Sequence, residues 1–238
     1  LEQQKTDPGQ VILIDKPLTW TSFDVANKLK YGCKFKKIGH AGTLDPLATG
    51  LLILCTGKMT KQIDQYQAQE KEYTGTLVLG KTTPSVDLET AIDAEFDTTG
   101  ITAEQIQEAA KQLTGDILQV PPIYSAIRVN GERLYEKARR GETAEGVEGG
   151  IKSRQVTVSV FEVNTDRFPE VDFRIVCSKG TYIRSLVRDL GLLLDNGAYM
   201  SSLRRTRIGN FRVEDAATIE QFIVAHRAAL PDPLPTNE

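Results

Sequence analysis

The residues best suited to chemistry sit in one short segment, Gly39-His40-Ala41-Gly42-Thr43-Leu44-Asp45-Pro46-Leu47-Ala48-Thr49-Gly50. Its glycines let the backbone turn sharply and come close to a ligand. Asp45 is the only carboxylate in the segment. Pro46 fixes the chain just after it and biases Asp45 towards an extended conformation. A lone aspartate on a rigid loop can serve as a nucleophile or as a general base. The same Asp-Pro pair opens many ordinary turns, so the segment alone leaves both readings open. Further on, Thr56-Gly57-Lys58 has the look of a phosphate-binding loop. That loop needs four residues between its glycines and a Ser or Thr after the lysine. Here six residues, mostly apolar, separate Gly50 from Gly57, and Met59 follows Lys58. Nucleotide hydrolysis is set aside on that spacing.

The elements that must hold this segment alternate between strands and helices. Val11 to Asp15 reads as a strand stopped by Lys16-Pro17, and Thr21 with Asp24 forms a capping box for a helix to Tyr31. Leu51 to Leu54 is a short buried strand, Thr60 to Gln69 is helix-like, and Glu72 to Gly80 alternates as a strand does. Thr102 with Gln105 caps a helix to about Leu113. Ile123 to Val129, followed by Asn130-Gly131, predicts a strand and a tight hairpin turn. Arg133 to Arg140 reads as a short helix ended by Gly141, and Glu142 to Gly150 as a flexible loop. Gln155 to Val163 and Val171 to Ser178 are the clearest strands. Thr181 to Leu194 is an amphipathic helix with Ile183, Leu186, Val187, Leu190 and Leu194 on one face. Arg207 to Val213 is expected as a strand, Thr218 to Ala229 as a last helix, and Pro231 to Glu238 as a frayed end. The mixture, with hairpins, predicts an α+β fold around a mixed, mostly antiparallel sheet flanked by helices.

Composition narrows the function. The 238 residues are 40% apolar and 26% charged, with net charge −3, an ordinary soluble balance rather than a disordered or collagenous one. Cys33, Cys55 and Cys177 are far apart and odd in number, and the only histidines are His40 and His226. Neither a disulfide framework nor a zinc site is indicated. No stretch near the segment is long enough to span a bilayer, and the polar start Leu1 to Gln10 carries no secretory signal. The expected setting is reduced and cytoplasmic, with no membrane and no metal. Charge is uneven: residues 1–61 hold nine lysines against five acids, residues 62–122 three lysines against eleven acids, and Lys179 to Arg212 seven bases against two acids. Two basic stretches therefore flank an acidic middle, and local patches can bind a polyanion that the total charge does not advertise.

The whole pattern of motifs resembles the bacterial tRNA pseudouridine synthase B family. Gly39 to Gly50 is similar to its signature. Asp15-Lys16-Pro17 with Thr21-Ser22, then Lys71-Glu72-Tyr73, Gln119-Val120-Pro121-Pro122 and Tyr124-Ser125-Ala126 resemble further blocks. Cys177-Ser178-Lys179-Gly180-Thr181-Tyr182-Ile183-Arg184 and Leu203-Arg204-Arg205 complete the set. The match runs from about residue 10 to residue 212, in the family's order. The resemblance implies the pseudouridine synthase fold. It also implies isomerisation of uridine 55 in the T-loop of tRNA to pseudouridine, with no cofactor and no metal. It implies a catalytic domain over residues 1–212, followed by a short C-terminal helix and tail at 213–238. Too few residues follow Arg212 for the PUA domain that many members carry. The implied partner is the T-arm of tRNA, met by a monomer. Two alternatives are a pseudouridine synthase acting on a different RNA and an RNA-folding chaperone using the same surface.

The resemblance also assigns roles. Asp45 is the catalytic aspartate, ionised, acting on the sugar or on its 2′ proton. Arg184 pairs with it and orients it. Tyr73 stacks on the extruded uracil. Tyr182 lines the pocket and helps handle the C5 proton. Leu203 forms an apolar wall, and His40 fills the space left by the flipped base. Lys16 supports the loop or touches phosphate. Lys28, Lys30, Lys34, Lys36, Lys37, Arg204, Arg205 and Arg207 are expected on the RNA backbone, with the acidic segment 62–122 turned away from it except near Tyr73.

Overall fold

The computed structural model describes residues 8–144, 146–147 and 149–229. In chain order they form β1 (Val11–Lys16), α1 (Ser22–Gly32), β2 (Ile38–His40), β3 (Ala48–Thr56), α2 (Ile63–Gln67), β4 (Lys71–Leu79), α3 (Ala103–Gln112), β5 (Gly115–Gln119), α4 (Leu134–Arg139), β6 (Arg154–Arg167), β7 (Glu170–Cys177), α5 (Ile183–Leu193), β8 (Ala198–Ile208) and α6 (Ile219–Ala228). They divide into two compact units, one built from the described residues up to Gln69 and from Arg204 onward, the other from Glu70–Leu203.

In the first unit, β3 is apolar on both faces because both are covered. Leu52 and Leu54 meet Ile12, Ile14, Val25, Leu29, Ile219 and Ile223, while Leu51 and Ile53 meet Ala41, Ile208 and Val213. A strand buried on two sides reads as a continuous run rather than an alternation. β1 runs antiparallel to it, Val11 opposite Cys55 and Lys16 opposite Gly50, with every second residue turned inward. β2 pairs antiparallel with its far end, His40 opposite Leu54. Helix α1 begins at the anticipated capping box, Thr21 with Asp24, and presses Val25, Ala26 and Leu29 inward. Helix α6, beyond Arg212, packs in this same unit through Ile219 and Ile223.

In the second unit the order is β4-β7-β6-β5, and each pairing is antiparallel. Ile106, Ala109 and Ala110 of α3 are buried, as are Ile183, Leu186, Val187 and Leu190 of α5. Exposed positions on the strands carry charges instead: Arg174 reaches Glu72 and Glu162, and Arg167 reaches Asp172. The pairings and flanking helices agree with the expected class.

β2 and the start of β3 fall where a glycine-punctuated loop was expected over Gly39 to Gly50, and three further elements differ from expectation. The strand expected over Ile123 to Val129 shrinks to Arg128–Val129, paired with Glu132–Arg133. Its turn is as foreseen, with Asn130 and Gly131 both at positive φ. β5 was not anticipated, because this short edge strand leaves Leu118 75% exposed and shows no alternation. The strand expected at Arg207 to Val213 is β8, nine residues earlier in its start, followed by the two-residue strand Phe211–Arg212. Its buried positions are Ala198, Met200, Leu203, Arg205 and Ile208. The inward face changes phase after Met200, and one inward residue is an arginine, so no simple period of two survives in the sequence. The expected tail, Pro231 to Glu238, lies outside the described residues, as do the first seven. No helix among the described residues is long and apolar enough to cross a membrane.

Candidate active site

The Asp45 loop connects β2 to β3 and is held through its backbone. Ser22 Oγ, at the start of α1, accepts from Leu44 N–H at 2.9 Å and donates to Leu44 C=O at 3.3 Å. Lys16, fully buried, donates from Nζ to the carbonyls of Pro17 (3.0 Å), Trp20 (2.5 Å) and Pro46 (3.3 Å). Thr19 N–H also donates to Pro46 C=O at 2.8 Å. Arg205, 1% exposed, sends Nε to Leu51 C=O at 2.8 Å, Nη2 to Gly42 C=O at 3.3 Å and Nη1 to Thr43 C=O at 3.5 Å. The residues on both sides of Asp45 are thus pinned, while Asp45 itself is only part-buried. Such fixing is what keeps a reacting group in one geometry. Lys16 ends inside the loop and supports it; a fully buried ammonium has no path to a phosphate.

Two buried cations among carbonyls shape the electrostatics here. Burial pushes the Lys16 ammonium down to about 8, against the pull of the Asp45 carboxylate, which favours the charged form. His40 is also held below the ordinary imidazole value, mainly by burial, with Arg205 acting in the same direction and a hydrogen bond to the Gly42 backbone opposing. His40 Nδ1 is buried without a partner among the described residues. The ring is therefore neutral near pH 7.

In the second unit Arg184 is buried and fixed by its neighbours. It lies in the first turn of α5 and is 5% exposed. Nη1 donates to Ser85 C=O at 3.1 Å, Nη2 to Tyr124 C=O at 2.8 Å, and Nε lies 3.7 Å from Asp87 Oδ2. Asp87 is 3% exposed, and its pairing makes Arg184 tolerable in the interior. Between Ser85 and Asp87 the chain is forced to turn: Val86 has φ 61° and is buried. A β-branched residue there costs roughly 1–2 kcal/mol. Thr83 C=O accepts from Val86 N–H at 2.9 Å, and Met200 N–H donates to Val86 C=O at 2.9 Å. These bonds hold the strained turn, which presents both the Ser85 carbonyl and the Asp87 carboxylate to one guanidinium.

The remaining expected residues fall in the second unit as well. Tyr73 stands in β4 opposite Ile175 and is 8% exposed. Leu203 is likewise buried at 8%. Tyr182 precedes α5 as its N-cap residue, with the Arg154 guanidinium 5.3 Å from its ring centre. The structure thus places Lys16, His40 and Asp45 in the first unit, and Tyr73, Tyr182, Arg184 and Leu203 in the second. Among the described residues no cluster of three or more His, Cys, Asp or Glu is set to hold a metal ion.

One expectation about the basic residues is corrected. Arg205 does not face RNA; it is internal, and the loop carbonyls take its donors. Arg204, its neighbour, makes a two-pronged ion pair with Asp15, at 2.9 and 2.7 Å. The exposed lysines Lys28, Lys34, Lys36 and Lys37 remain open to a polyanion. The third glycine of the signature also has a different use. A Cβ on Gly50 would lie 2.3 Å from the Arg205 backbone oxygen, so Gly50 admits a neighbouring strand, not a ligand. Sequence reasoning missed Ser22, Asp87 and Arg205 as site residues. Asp87 sits in the acidic stretch, where nothing local separates an inward acid from solvated ones.

The fold is shared with solved structures. One chain, from a structure titled "Crystal Structure of a Cbf5-Nop10-Gar1 Complex", is 30% identical with a TM-score of 0.68, over 90% of this chain and 53% of that one. Another, from "Structure of H/ACA RNP bound to a substrate RNA containing 2'-deoxyuridine", is 27% identical with a TM-score of 0.66, over 93% of this chain and 56% of that one. This chain spans about half the length of either. Its class is that of the pseudouridine synthases. Residues 30–183 match "TruB family pseudouridylate synthase (N terminal domain)", and residues 184–230 match "tRNA pseudouridylate synthase B C-terminal domain". The chain belongs to the TruB family. Relatives named tRNA pseudouridine synthase B include one from Flavobacterium johnsoniae, 55% identical over 90% of this chain and 94% of its own, and one from Phocaeicola vulgatus, 49% identical over 90% and 92%.

Proposed function

We propose that this chain converts uridine 55 in the T-loop of tRNA to pseudouridine. The observation that carries the reading is the fixed presentation of Asp45, whose flanking backbone is gripped by Ser22, Lys16 and Arg205. In this reading the target base is flipped out of the loop, and Asp45 acts on its sugar as nucleophile or base. The N1–C1′ bond breaks, the uracil turns, and a C5–C1′ bond forms. C5 gives up its proton with help from Tyr182, and N1 gains one, so the product is an isomer and nothing is consumed. Arg184 pairs with the Asp45 carboxylate, Tyr73 stacks on the uracil, Leu203 walls its pocket, and His40 takes the vacated place in the loop. Residues 1–212 supply the catalytic part, followed by the short helix α6. The protein works as a cytoplasmic monomer on the T-arm. The test is to incubate unmodified tRNA with the protein and map pseudouridines to single nucleotides. Modification at position 55 supports the reading; modification only elsewhere, or none, overturns it.

Two further results are expected. Lys16 loses its proton near pH 8, and a neutral amine cannot donate to three carbonyls. The single-turnover rate should therefore fall as pH rises through about 8, and Lys16→Met should be slow throughout without that alkaline limb. Stability moves the opposite way. The folded-state value lies below the unfolded one, so the folded state binds fewer protons between about 8 and 10.5, and this group's contribution improves as pH rises across that window. Rates and melting points measured from pH 7 to 9 check both signs. Secondly, phosphate contacts from the exposed lysines release counterions, so tRNA affinity should drop on the order of tenfold or more between 50 and 200 mM salt. A flat salt titration would remove the lysines from the interface.

A further inference from the structure

At the end of β5, Gln119 has its side chain fully buried. Its Oε1 accepts from Tyr182 N–H at 2.8 Å, and its Nε2 donates to Tyr182 C=O at 3.1 Å. Opposed residues of an antiparallel ladder exchange this pair of bonds through their backbones; here a side-chain amide does it. The backbone partners leave no doubt about which amide atom is oxygen, since Tyr182 N–H can only donate. Tyr182 C=O also accepts the first helical bond, from Leu186 N–H at 3.2 Å, so both its lone pairs are used.

The place is telling. α5 has no side-chain N-cap and no acid in its first turn, unlike α1, α3 and α6, which begin with capping boxes. The residues after Gln119 grip the same turn: Val120 C=O accepts from Ser185 Oγ at 2.8 Å and from Arg188 Nη2 at 3.1 Å, and Tyr124 C=O accepts from Arg184 Nη2. The start of α5 is located by the chain from Gln119 to Tyr124, not by a cap of its own. A neutral amide offers one donor and one acceptor in a buried place, without charge at any ordinary pH. Asn is a methylene too short, and an ionised Glu lacks the donor.

We propose that Gln119 is a positioning residue for the reaction: by clamping both backbone groups of Tyr182 it sets where Tyr182 and Arg184 stand. The inference rests on the assignment of those two residues to the reacting site. Gln119 touches no substrate itself.

The test uses the full chain and unmodified tRNA, with pseudouridine formation measured in single turnover at saturating enzyme. Gln119→Glu keeps the shape. As a carboxylate it cannot donate to Tyr182 C=O; protonated, it restores both bonds. Burial and the facing carbonyl favour the protonated form. At pH 8.5 Gln119→Glu should be at least tenfold slower than wild type with tRNA affinity unchanged within threefold, and the ratio of the two rates should shrink at least threefold by pH 6. A Gln119→Glu rate within twofold of wild type at pH 8.5, or a ratio constant with pH, overturns the proposal. Hydrogen exchange of the Tyr182 amide in the wild-type protein needs no variant to fold. It should be as slow as that of the β7 amides, and exchange at the rate of an open helix end also overturns the proposal. If wild type forms no pseudouridine in tRNA, the functional reading fails while the exchange result still judges the clamp.

Discussion

Asp45→Asn should bind tRNA with an affinity within about threefold of wild type and form pseudouridine at least roughly 10³-fold more slowly. The replacement keeps size and hydrogen-bonding reach but removes the charge, and either chemical role requires an ionised oxygen. Binding should survive because the backbone on both sides of Asp45 has grips of its own. Ser22 grips Leu44, Lys16 and Thr19 grip Pro46, and Arg205 grips Gly42 and Thr43. Single-turnover assays and filter binding at one salt concentration separate the two quantities. Turnover within tenfold of wild type would remove Asp45 from the chemistry. A large loss of binding would mean that the loop collapses without the carboxylate.

Arg184→Lys is the second large effect. A lysine keeps the charge, but its single ammonium cannot span the Ser85 carbonyl, the Tyr124 carbonyl and the Asp87 carboxylate, which the planar guanidinium reaches from three nitrogens. Each buried carbonyl left without a donor costs about 1–3 kcal/mol. The variant should therefore lose both stability and rate, the latter on the order of 10²-fold or more. Urea titration gives the first, and single-turnover rates at 15 °C, where the variant is still folded, give the second. A rate within threefold of wild type would show that the fork geometry is irrelevant to the reaction. The same residues predict an asymmetry: Arg184→Met should unfold more easily than Arg184→Lys, because it strands Asp87 as an unpaired buried charge.

What the sequence discloses follows from how local each signal is. Helices α1 and α3 were legible with their starting residues because a capping box and a first turn are written within four positions, as Thr21 with Asp24 and Thr102 with Gln105. β6 and β7 were legible because β-branched residues alternate along them. β8 was not, since its inward face shifts after Met200 and counts Arg205 among its members. Asp45 stood out as chemistry only through the full set of motifs, because Asp-Pro alone is as good a turn. Ser22, Asp87, Gln119 and Arg205 act through partners between 22 and 163 positions away. No spacing rule reaches that far, and an acid in an acidic stretch or a glutamine before two prolines looks like ordinary surface until the chain has folded.

Arg204 and Arg205 are neighbours with the same letter, yet strand alternation sends them to opposite sides of one ribbon. Two side chains that a tally of cations treats as equals will tolerate change very differently. The outer one can be recoded together with Asp15, because the pair is part-exposed and its loss strands no fully buried charge. The inner one permits no such change. Anyone altering the surface charge of this protein has one adjustable handle here, not two.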